Sequence, residues 1–297
     1  MTGGSGMIEP RGQLEEGLRY QKLGMLDQAL EQYRVAIDTA TDPEVISEAF
    51  CRESLVYRAR CRWDDAIGSA RRSATIALSA RLDDQYAQAL NAEAIVHQER
   101  GAFDAAMTLY EIIVRMKVSD RLQGITYQNI GSIAAQQADF EKARTCFRES
   151  QRHFARAGYA WGEAFALNNQ AAAAHDAGHM KEAEIIAGQA IVAAKKVGDL
   201  ELLGIAMLNS AQALTPQQRL VPAEQLAVDA LRYFEIEEND LRRAQCYRVL
   251  GDIKLLQGAP KEAHEMYAHA LGLAQSVGSE REVMQIQDAM ELVVGAA

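Results

Sequence analysis

The sequence predicts an all-α protein in which pairs of helices repeat along the chain. The composition favours helix almost throughout, since the 297 residues include only 5 prolines, 6% are aromatic, and Ala, Leu, Glu and Gln are abundant. No run of alternating β-branched residues is long enough for a strand. An alanine recurs at intervals of 37 or 40 residues, a period typical of a helical solenoid. These alanines are Ala29, Ala66, Ala106, Ala143, Ala183, Ala223 and Ala263.

Three further features precede each of these alanines at fixed distances. Twelve positions earlier stand the small residues Gly17, Ser54, Ala94, Gly131, Ala171, Ala211 and Gly251. Five positions earlier stand the turn residues Gly24, Cys61, Gly101, Ala138, Gly178, Gln218 and Gly258. Three positions earlier stand Leu26, Trp63, Phe103, Phe140, Met180, Leu220 and, as the exception, Pro260. We expect small residues where two helix backbones approach, a left-handed residue at each turn, and a large side chain closing the hairpin.

This spacing resembles that of tetratricopeptide repeat proteins over residues 11–275. Aromatic residues four positions after the alanine complete the match, at Tyr33, Tyr110, Phe147 and Tyr267. The period is nearer 40 than the usual value of about 34. In this respect the chain is similar to kinesin light chains, Leu-Gly-Asn repeat polarity proteins and bacterial peptide-sensing regulators. The resemblance implies a right-handed α-solenoid of seven helix pairs, with the first helix of each pair lining a concave groove that binds partner peptides.

The repeats define three segments of the chain. Residues 1–10, which include a Gly-Gly-Ser-Gly run, are expected to be a disordered leader or a cloning remnant. Residues 11–278 hold the seven repeats, and residues 279–297 are expected to form a capping helix and tail. The cap is expected because solenoid ends need one and because Val283, Ile286, Met290 and Val293 share one face of a helix over residues 279–294.

Two departures from the family pattern carry predictions. Glutamate stands where the family usually has leucine in the first three repeats, and a tyrosine or histidine follows four residues later, which predicts a polar pair on one helix face. The pairs are Glu16 with Tyr20, Glu53 with Tyr57, and Glu93 with His97. In the sixth repeat, Pro222 suits the first turn of a helix, whereas Pro216 is expected to end the preceding helix early and leave an irregular, longer loop.

Amide side chains recur at positions that the resemblance places in the groove. Asn129, Asn169 and Asn209 are separated by 40 residues each. An amide both donates and accepts, so a series of them can pair with the backbone of an extended peptide. The alternative is that these asparagines lie on a solvated helix face or cap a neighbouring element. The predicted peptide-binding residues are Asn91, Gln98, Gln128, Asn129, Trp161, Phe165, Asn168, Asn169, His175, Leu208, Asn209 and Gln212.

Trp161 lies just before the predicted first helix of the fifth repeat, where it would either anchor a partner or pack between repeats. Arg52, Arg58 and Arg248 also fall on groove positions. They would clamp an acidic peptide or, as the favoured alternative, pair with nearby glutamates. The Lys and Asn arrangement of the family's carboxylate clamp is missing, which disfavours chaperone C-terminal tails as ligands.

The remaining features narrow the class of function. The net charge of −10 argues against nucleic acid and against an anionic membrane as partners. Four scattered cysteines without a CxxC predict buried fillers in a reducing compartment, and the absence of a signal sequence or an apolar span predicts a cytoplasmic protein. His264 and His269 are five residues apart, and Gly178 separates His175 from His179, so neither pair is arranged for a metal. We expect no cofactor and no enzymatic activity.

The sequence therefore predicts a non-catalytic protein–protein interaction scaffold that binds a partner peptide or helix in the concave groove of repeats three to six. Two alternatives stay open. One is a peptide-signal sensor, whose output domain would lie on a separate protein because the first repeat begins by about Gln13. The other is a self-assembling scaffold, that is, a homo-oligomer.

Overall fold

The structure, a computed structural model, describes residues 9–296, and within that range the secondary structure is helical with no strand. The chain divides into two compact units, one ending at Ile133 and the other beginning at Ala134. The first seven helices are α1 (Pro10–Lys22), α2 (Leu26–Thr39), α3 (Pro43–Ala59), α4 (Trp63–Ser79), α5 (Asp83–Glu99), α6 (Phe103–Arg115) and α7 (Asp120–Gln136), the last of which passes through the division. The others are α8 (Phe140–Arg156), α9 (Ala160–Asp176), α10 (Met180–Val197), α11 (Leu200–Leu214), α12 (Leu220–Ile236), α13 (Asp240–Leu256), α14 (Pro260–Ser276) and α15 (Glu280–Ala296). The prediction of an all-α helical-repeat solenoid is confirmed.

Successive helices pack in pairs within each unit where the sequence predicts them. The pairs are α1/α2, α3/α4 and α5/α6 in the first unit and α9/α10, α11/α12 and α13/α14 in the second. All seven predicted turn residues have φ between 55° and 82°, which is the left-handed region, although Cys61, Ala138 and Gln218 are not glycine. The residue after each turn donates its backbone N–H to a carbonyl five residues earlier, as His179 does to Ala174 at 2.8 Å. This hydrogen bond satisfies a carbonyl at the helix end. The turn prediction is confirmed in every repeat.

The two shorter periods of 37 residues have a local cause. The second helices of repeats one and three, α2 and α6, have 14 and 13 residues, whereas α4, α8 and α12 have 17. Each short helix is followed directly by a residue with extended backbone, Ala40 after α2 and Met116 after α6. Most of the other second helices lead into the next repeat through a left-handed residue such as Gly158 or Gly198. The missing residues are therefore lost from the last turn of a helix, and the hairpins keep their geometry.

The small residues make room for an aromatic ring in two of the repeats. All seven are buried. A Cβ added to Gly17 would lie 2.4 Å from Cε1 of Tyr33, and a Cβ added to Gly251 would lie 2.5 Å from Cε1 of Tyr267. In these repeats the ring of the second helix, rather than its backbone, occupies the space that the sequence analysis assigned to close backbone packing. The large residues that begin the second helices, Trp63 among them, are half-buried.

The sixth repeat corrects the prediction of a longer loop. Helix α11 ends early, at Leu214, and Pro222 lies in the first turn of α12, as predicted. The residues between form a 3-10 turn, Thr215–Gln217, followed by left-handed Gln218. Pro216 fits this turn because a residue in its first positions needs no hydrogen bond from its own nitrogen. The connection therefore keeps the register of the other repeats.

Two of the glutamates in place of leucine, Glu53 and Glu93, are buried and pair with an arginine of the preceding repeat. Glu53 accepts hydrogen bonds from Tyr57 at 3.3 Å and Ser69 at 2.7 Å, and Arg34 lies 3.7 Å away. Glu93 is likewise 3.6 Å from His97 and 2.8 Å from Arg71. The predicted pair is thus confirmed in repeats two and three.

Repeat one differs from repeats two and three. Glu16 is half-buried and pairs with Arg19 at 3.2 Å, not with Tyr20. The arginines that meet Glu53 and Glu93 come from the second helix of the preceding repeat, and no such helix precedes Glu16 in the described range.

Helix α15 packs its apolar face on the last repeat. Ile286 is fully buried beside Tyr267 and Ala244, with Val283 and Met290 partly buried around them. The side chain of Val293 lies outside the described part of the chain, as do residues 1–8 of the predicted leader, whereas Pro10 already begins α1.

The cysteines depart from their prediction at one position. Cys51, Cys146 and Cys246 are buried, but Cys61 is exposed at its turn.

Candidate functional site

The second unit contains a cavity of about 650 Å³ lined by the first helices of repeats five, six and seven together with α15. Its lining combines amide, apolar and charged side chains. From α9 and the α11 region come Ala172, His175, Asp176, Leu208, Asn209, Gln212, Thr215 and Pro216. From α13 and the α15 region come Leu241, Arg242, Gln245, Arg248, Val249, Asp252, Ser279, Arg281, Glu282, Gln285 and Asp288. A cavity of this size is typical of a ligand site.

Four of the predicted peptide-binding residues line this cavity, namely His175, Leu208, Asn209 and Gln212. His175 lies on α9 and the other three lie on α11, which are the first helices of repeats five and six. Leu208 is 2% exposed, so it contributes an apolar wall rather than a flexible contact. His175 Nδ1 lies 3.1 Å from Oδ1 of the neighbouring Asp176.

Two asparagines of the second unit, Asn168 and Asn209, connect neighbouring repeats. Asn209 donates from Nδ2 to the backbone oxygen of Asn168 at 3.0 Å, and Asn168 donates to the backbone oxygen of Leu202 at 3.1 Å. Asn168 is 1% exposed, and its Oδ1 has no hydrogen-bond partner among the described residues. Asn169 is half-buried and makes no side-chain hydrogen bond within the described range. Neither Asn168 nor Asn169 lines the cavity.

The other predicted amides belong to the helices α5 and α7 of the first unit. Asn129 donates from Nδ2 to Oδ1 of Asn91 at 2.9 Å, which links the two helices. Gln98 accepts a hydrogen bond from the hydroxyl of Tyr110 at 3.2 Å, and Gln128 is buried. These side chains therefore have contacts within the fold, in addition to any that a ligand would make.

Trp161 and Phe165 form an aromatic stack on α9. Their ring centroids are 5.1 Å apart and their planes differ by 13°. Trp161 is the second residue of α9 rather than the residue before it, is 40% exposed, and donates from Nε1 to Asp199 at 2.9 Å. Phe165 is half-buried against the core. The stack lies outside the lining of the cavity.

The three groove arginines named in the sequence analysis are all ion-paired. Arg52 is 3.2 Å from Glu48, Arg58 is 3.0 Å from Glu99, and Arg248 is 2.7 Å from Glu282. The interpretation that they pair with nearby glutamates is confirmed. Arg248 nonetheless lines the cavity.

A hydrogen-bonded network joins α13, α14 and α15 beside the cavity. Glu282, which is 4% exposed, accepts from Arg248 and also from Gln245 at 3.4 Å. Asp252 accepts a hydrogen bond from the hydroxyl of Tyr267 at 2.7 Å. Burial raises the pKa of Asp252, because the charged form loses hydration that this hydrogen bond and Arg248 only partly replace.

Sequence reasoning missed Arg242, Gln245, Asp252 and Glu282 as residues of this site. Arg242 carried a usable signal, because it stands nine positions before the small residue Gly251. The equivalent residues of repeats two to six are Val45, Gln85, Leu122, Gly162 and Leu202, and all of them except Gln85 are buried. An alignment of the repeats therefore shows a charged residue at Arg242, where the other five repeats have a neutral one. Glu282 was hidden because it lies outside the seven pairs.

Two other features are absent from the described part of the chain. Within residues 9–296, no cluster of three or more His, Cys, Asp and Glu side chains is arranged to hold a metal ion. The helices of the same range are all too short or too polar to cross a bilayer.

Solved structures with the same fold support the tetratricopeptide assignment. The apo form of RapI superposes with a TM-score of 0.68 at 15% identity, covering 91% of this chain and 98% of that one. The apo quorum sensor NprR from B. thuringiensis has a TM-score of 0.65 at 15% identity, with 89% and 76% covered. A signal transduction ATPase with numerous domains and a tetratricopeptide repeat sensor, from Pyrococcus horikoshii, has a TM-score of 0.75 at 14% identity. There 96% of this chain matches 44% of that protein, so this chain spans less than half its length.

No family model matches the sequence, and no curated protein sequence matches it either. The chain has the tetratricopeptide-repeat fold.

Proposed function

We propose that this protein is a non-catalytic interaction scaffold that binds a peptide or helical segment of a partner protein. The cavity of the second unit carries the proposal, because first helices of three repeats and α15 converge on a space of about 650 Å³. Its walls contain apolar residues such as Leu208 and Val249 as well as amides such as Asn209 and Gln212. Apolar contacts bind side chains, and amides pair with a peptide backbone of any sequence.

The amides of the cavity have hydrogen-bonding capacity to offer. Gln212 makes no side-chain hydrogen bond within the described range, and Asn209 uses only its Nδ2 donor, which leaves its Oδ1 to accept. Trp161, Phe165, Asn168 and Asn169 belong to the same proposal as contacts on α9 of the second unit, and Asn91, Gln98, Gln128 and Asn129 are proposed as contacts of the first unit by itself. Asn169 is the best single probe of the α9 contacts, because changing it to Ala removes no hydrogen bond of the fold.

The proposal is tested by filling the cavity. Ala172 lines it and is half-buried, so Ala172→Phe occupies its volume without removing a polar group. Ala268→Phe is the matched control, since Ala268 is exposed on α14, a second helix, and does not line the cavity. Affinity capture from a lysate of the native cells, read by mass spectrometry, should recover partners with the wild type and with Ala268→Phe. Ala172→Phe should lose them. Equal recovery with both variants would show that partners bind elsewhere.

A sensor of a peptide signal, with its output on a separate protein, is the second candidate. The observation in its favour is the similarity in fold to RapI and to the quorum sensor NprR. A sensor must differ in conformation between its free and bound states, because a ligand shifts an equilibrium only through differential affinity. Small-angle scattering should then give different radii of gyration for the free protein and for its complex with the shortest fragment of a captured partner that still binds. An unchanged radius favours the scaffold.

Self-association has to be distinguished from binding of a different partner protein. Light scattering over a range of concentrations should give a constant monomer mass if the cavity is free to bind a partner. If the mass instead rises with concentration, and Ala172→Phe abolishes that rise, the partner is a second copy of this chain.

A further inference from the structure

Arg242 is an unpaired cation in a cavity whose other half-buried arginine is paired. It lines the cavity and is half-buried. Its one side-chain hydrogen bond runs from a terminal nitrogen to Oε1 of Gln245 at 2.9 Å, and it forms no ion pair with any carboxylate of the described chain. By contrast, Arg248 pairs with Glu282, and the adjacent Arg243 lies 2.6 Å from Asp240. A guanidinium has five N–H donors, so most of the hydrogen-bonding capacity of Arg242 is unused.

The position of Arg242 shows that the fold does not require a charge there. The equivalent residues Val45, Leu122 and Leu202 are between 3% and 8% exposed and pack as ordinary core. Gly162, the equivalent in repeat five, is also buried. Four repeats thus complete the same helix packing with an apolar residue or glycine at this position.

The surroundings of Arg242 disfavour its charge in the free protein. Burial lowers its pKa, and the attraction of Glu201 and Glu282 does not compensate. It is the third residue of α13, so the positive end of the helix dipole lies beside it. Gln245, its one partner, is neutral and directs its own amide to Glu282. An unpaired, partly desolvated cation costs stability unless a ligand neutralises it.

We propose that Arg242 binds a carboxylate of the partner peptide, either an Asp or Glu side chain or the peptide C-terminus. This inference rests on the proposed function, since it assigns a subsite within the same cavity. The planar guanidinium matches a carboxylate through two parallel N–H···O bonds. Arg281, exposed in the same cavity and also without an ion pair in the described range, adds a second positive charge.

A carboxylate fits this cavity better than a phosphate. Four carboxylates already line it, those of Asp176, Asp252, Glu282 and Asp288. A phosphate carries close to two negative charges and would meet stronger repulsion from them than a singly charged carboxylate does. Neutral hydrogen-bonding contacts for the peptide backbone on either side of the bound carboxylate come from the amides Asn209, Gln212 and Gln245.

The experiment uses the full chain and defined peptide mixtures. Random heptapeptides are presented in four pools: free C-terminus, amidated C-terminus, amidated without Asp or Glu, and amidated with phosphoserine in place of Asp and Glu. Wild type, Arg242→Gln, Arg243→Gln and Ala172→Phe are each incubated with the pools, and retained peptides are quantified by affinity selection and mass spectrometry. Arg243→Gln is the matched control, because it removes the same charge one residue along α13 and does not line the cavity.

The expected result is that wild type and Arg243→Gln retain peptides with a carboxylate. Arg242→Gln should lose that preference, with retention falling about tenfold or more, the effect of removing a charge-assisted hydrogen bond. If amidated peptides with Asp or Glu are retained, the carboxylate is a side chain. If only the free C-terminal pool is retained, it is the peptide terminus.

Other outcomes separate this inference from the function on which it rests. Wild type could retain peptides without preference for a carboxylate, with the same retention by Arg242→Gln and none by Ala172→Phe. That result would overturn the role of Arg242 and support the peptide site. A preference for phosphoserine that depends on Arg242 overturns the choice of carboxylate. No retention by wild type overturns both.

A stability measurement distinguishes a ligand-binding residue from a structural one. Arg242→Leu copies the residue of repeat six, and we expect its thermal midpoint to equal or exceed that of wild type, because an unpaired charge is replaced by core. A fall in midpoint for both Arg242→Leu and Arg242→Gln would assign Arg242 a structural role and overturn the proposal.

Discussion

Gly251 shows at the scale of one residue how closely the helices of the seventh repeat approach. Replacing it with Ala puts a methyl group 2.5 Å from the ring of Tyr267, which is 1% exposed and hydrogen-bonded to Asp252. The ring has no room to move, so we expect Gly251→Ala to lower the free energy of unfolding by about 1–3 kcal/mol. Urea denaturation followed by circular dichroism measures it.

Gly272 is the control on the neighbouring helix. It is exposed in α14, and an added Cβ meets no atom within 4 Å. Gly272→Ala should raise the free energy of unfolding by about 0.5–1 kcal/mol, because alanine loses less backbone entropy in a helix. If both substitutions had the same sign, helix propensity rather than the ring contact would govern the seventh repeat.

The cysteines give a second prediction at the residue scale. Burial raises the pKa of Cys51 to about 11 and that of Cys246 to about 12, whereas Cys61 is exposed. A thiolate attacks a disulfide reagent and releases the reagent's other sulfur, so at about pH 8 one thiol per chain should react quickly and the others only on unfolding. Mass spectrometry should place the fast label on Cys61. Fast labelling of Cys246 would contradict its burial.

The same pKa shifts predict how stability depends on pH. The pKa of Cys246 is higher in the folded chain than the value of about 8.5 expected when unfolded, so the neutral thiol is favoured by folding. That contribution is complete below about pH 8.5 and decreases as the pH rises towards 12. Cys246→Ala should therefore flatten the fall of stability at alkaline pH, as measured by urea denaturation at several pH values.

At the scale of the element, the turns differ in how well their residue suits a left-handed backbone. Ala138 has φ of 59° and Gly178 has φ of 82° at equivalent positions of the second unit. A left-handed non-glycine residue costs about 1–2 kcal/mol. We expect Ala138→Gly to stabilise the protein by up to about 1 kcal/mol, less than the full strain because glycine gains entropy when unfolded. Gly178→Ala should destabilise it by a similar amount, and thermal unfolding would contradict both if the signs were reversed.

The elements were predictable because their signals are local. The alanine, turn and small-residue positions belong to one hairpin each, and the sequence places all seven. The arginines that neutralise Glu53 and Glu93 come from the preceding repeat, more than 15 residues away, so no pattern within a hairpin indicated them. The 3-10 turn at Pro216 was missed because proline predicts where a helix ends but not the conformation of the residues beyond that end.

The candidate site was less predictable than the fold. Four of the twelve predicted peptide-binding residues line the cavity of the second unit. Asn91 and Asn129 bond to each other, and a sequence register does not show which amides are already used in this way. Arg242 is not part of any recurring pattern, because it is the exception among the residues at the equivalent position of the other repeats.

At the scale of the whole molecule, the pattern of helix contacts determines how far a perturbation spreads. Within each unit, helices pack mainly on helices one or two places away along the chain. Stability in such arrays is close to a sum of terms from repeats and from nearest-neighbour interfaces. A substitution in one repeat should therefore weaken that repeat and its neighbours without altering repeats further along the same unit.

Gly251→Ala tests this expectation within the second unit. Native-state hydrogen exchange should accelerate in α13, α14 and α15, where Tyr267 and Ile286 share one core. Exchange in α9 and α10, two repeats away, should stay within error of wild type, because these helices pack mainly on each other and on α8 and α11. Equal acceleration in α9 and α13 would mean that the unit opens as one cooperative block. Peptide binding at the α9 wall of the cavity would then depend on the seventh repeat through stability alone, and Gly251→Ala would weaken it without touching a lining residue.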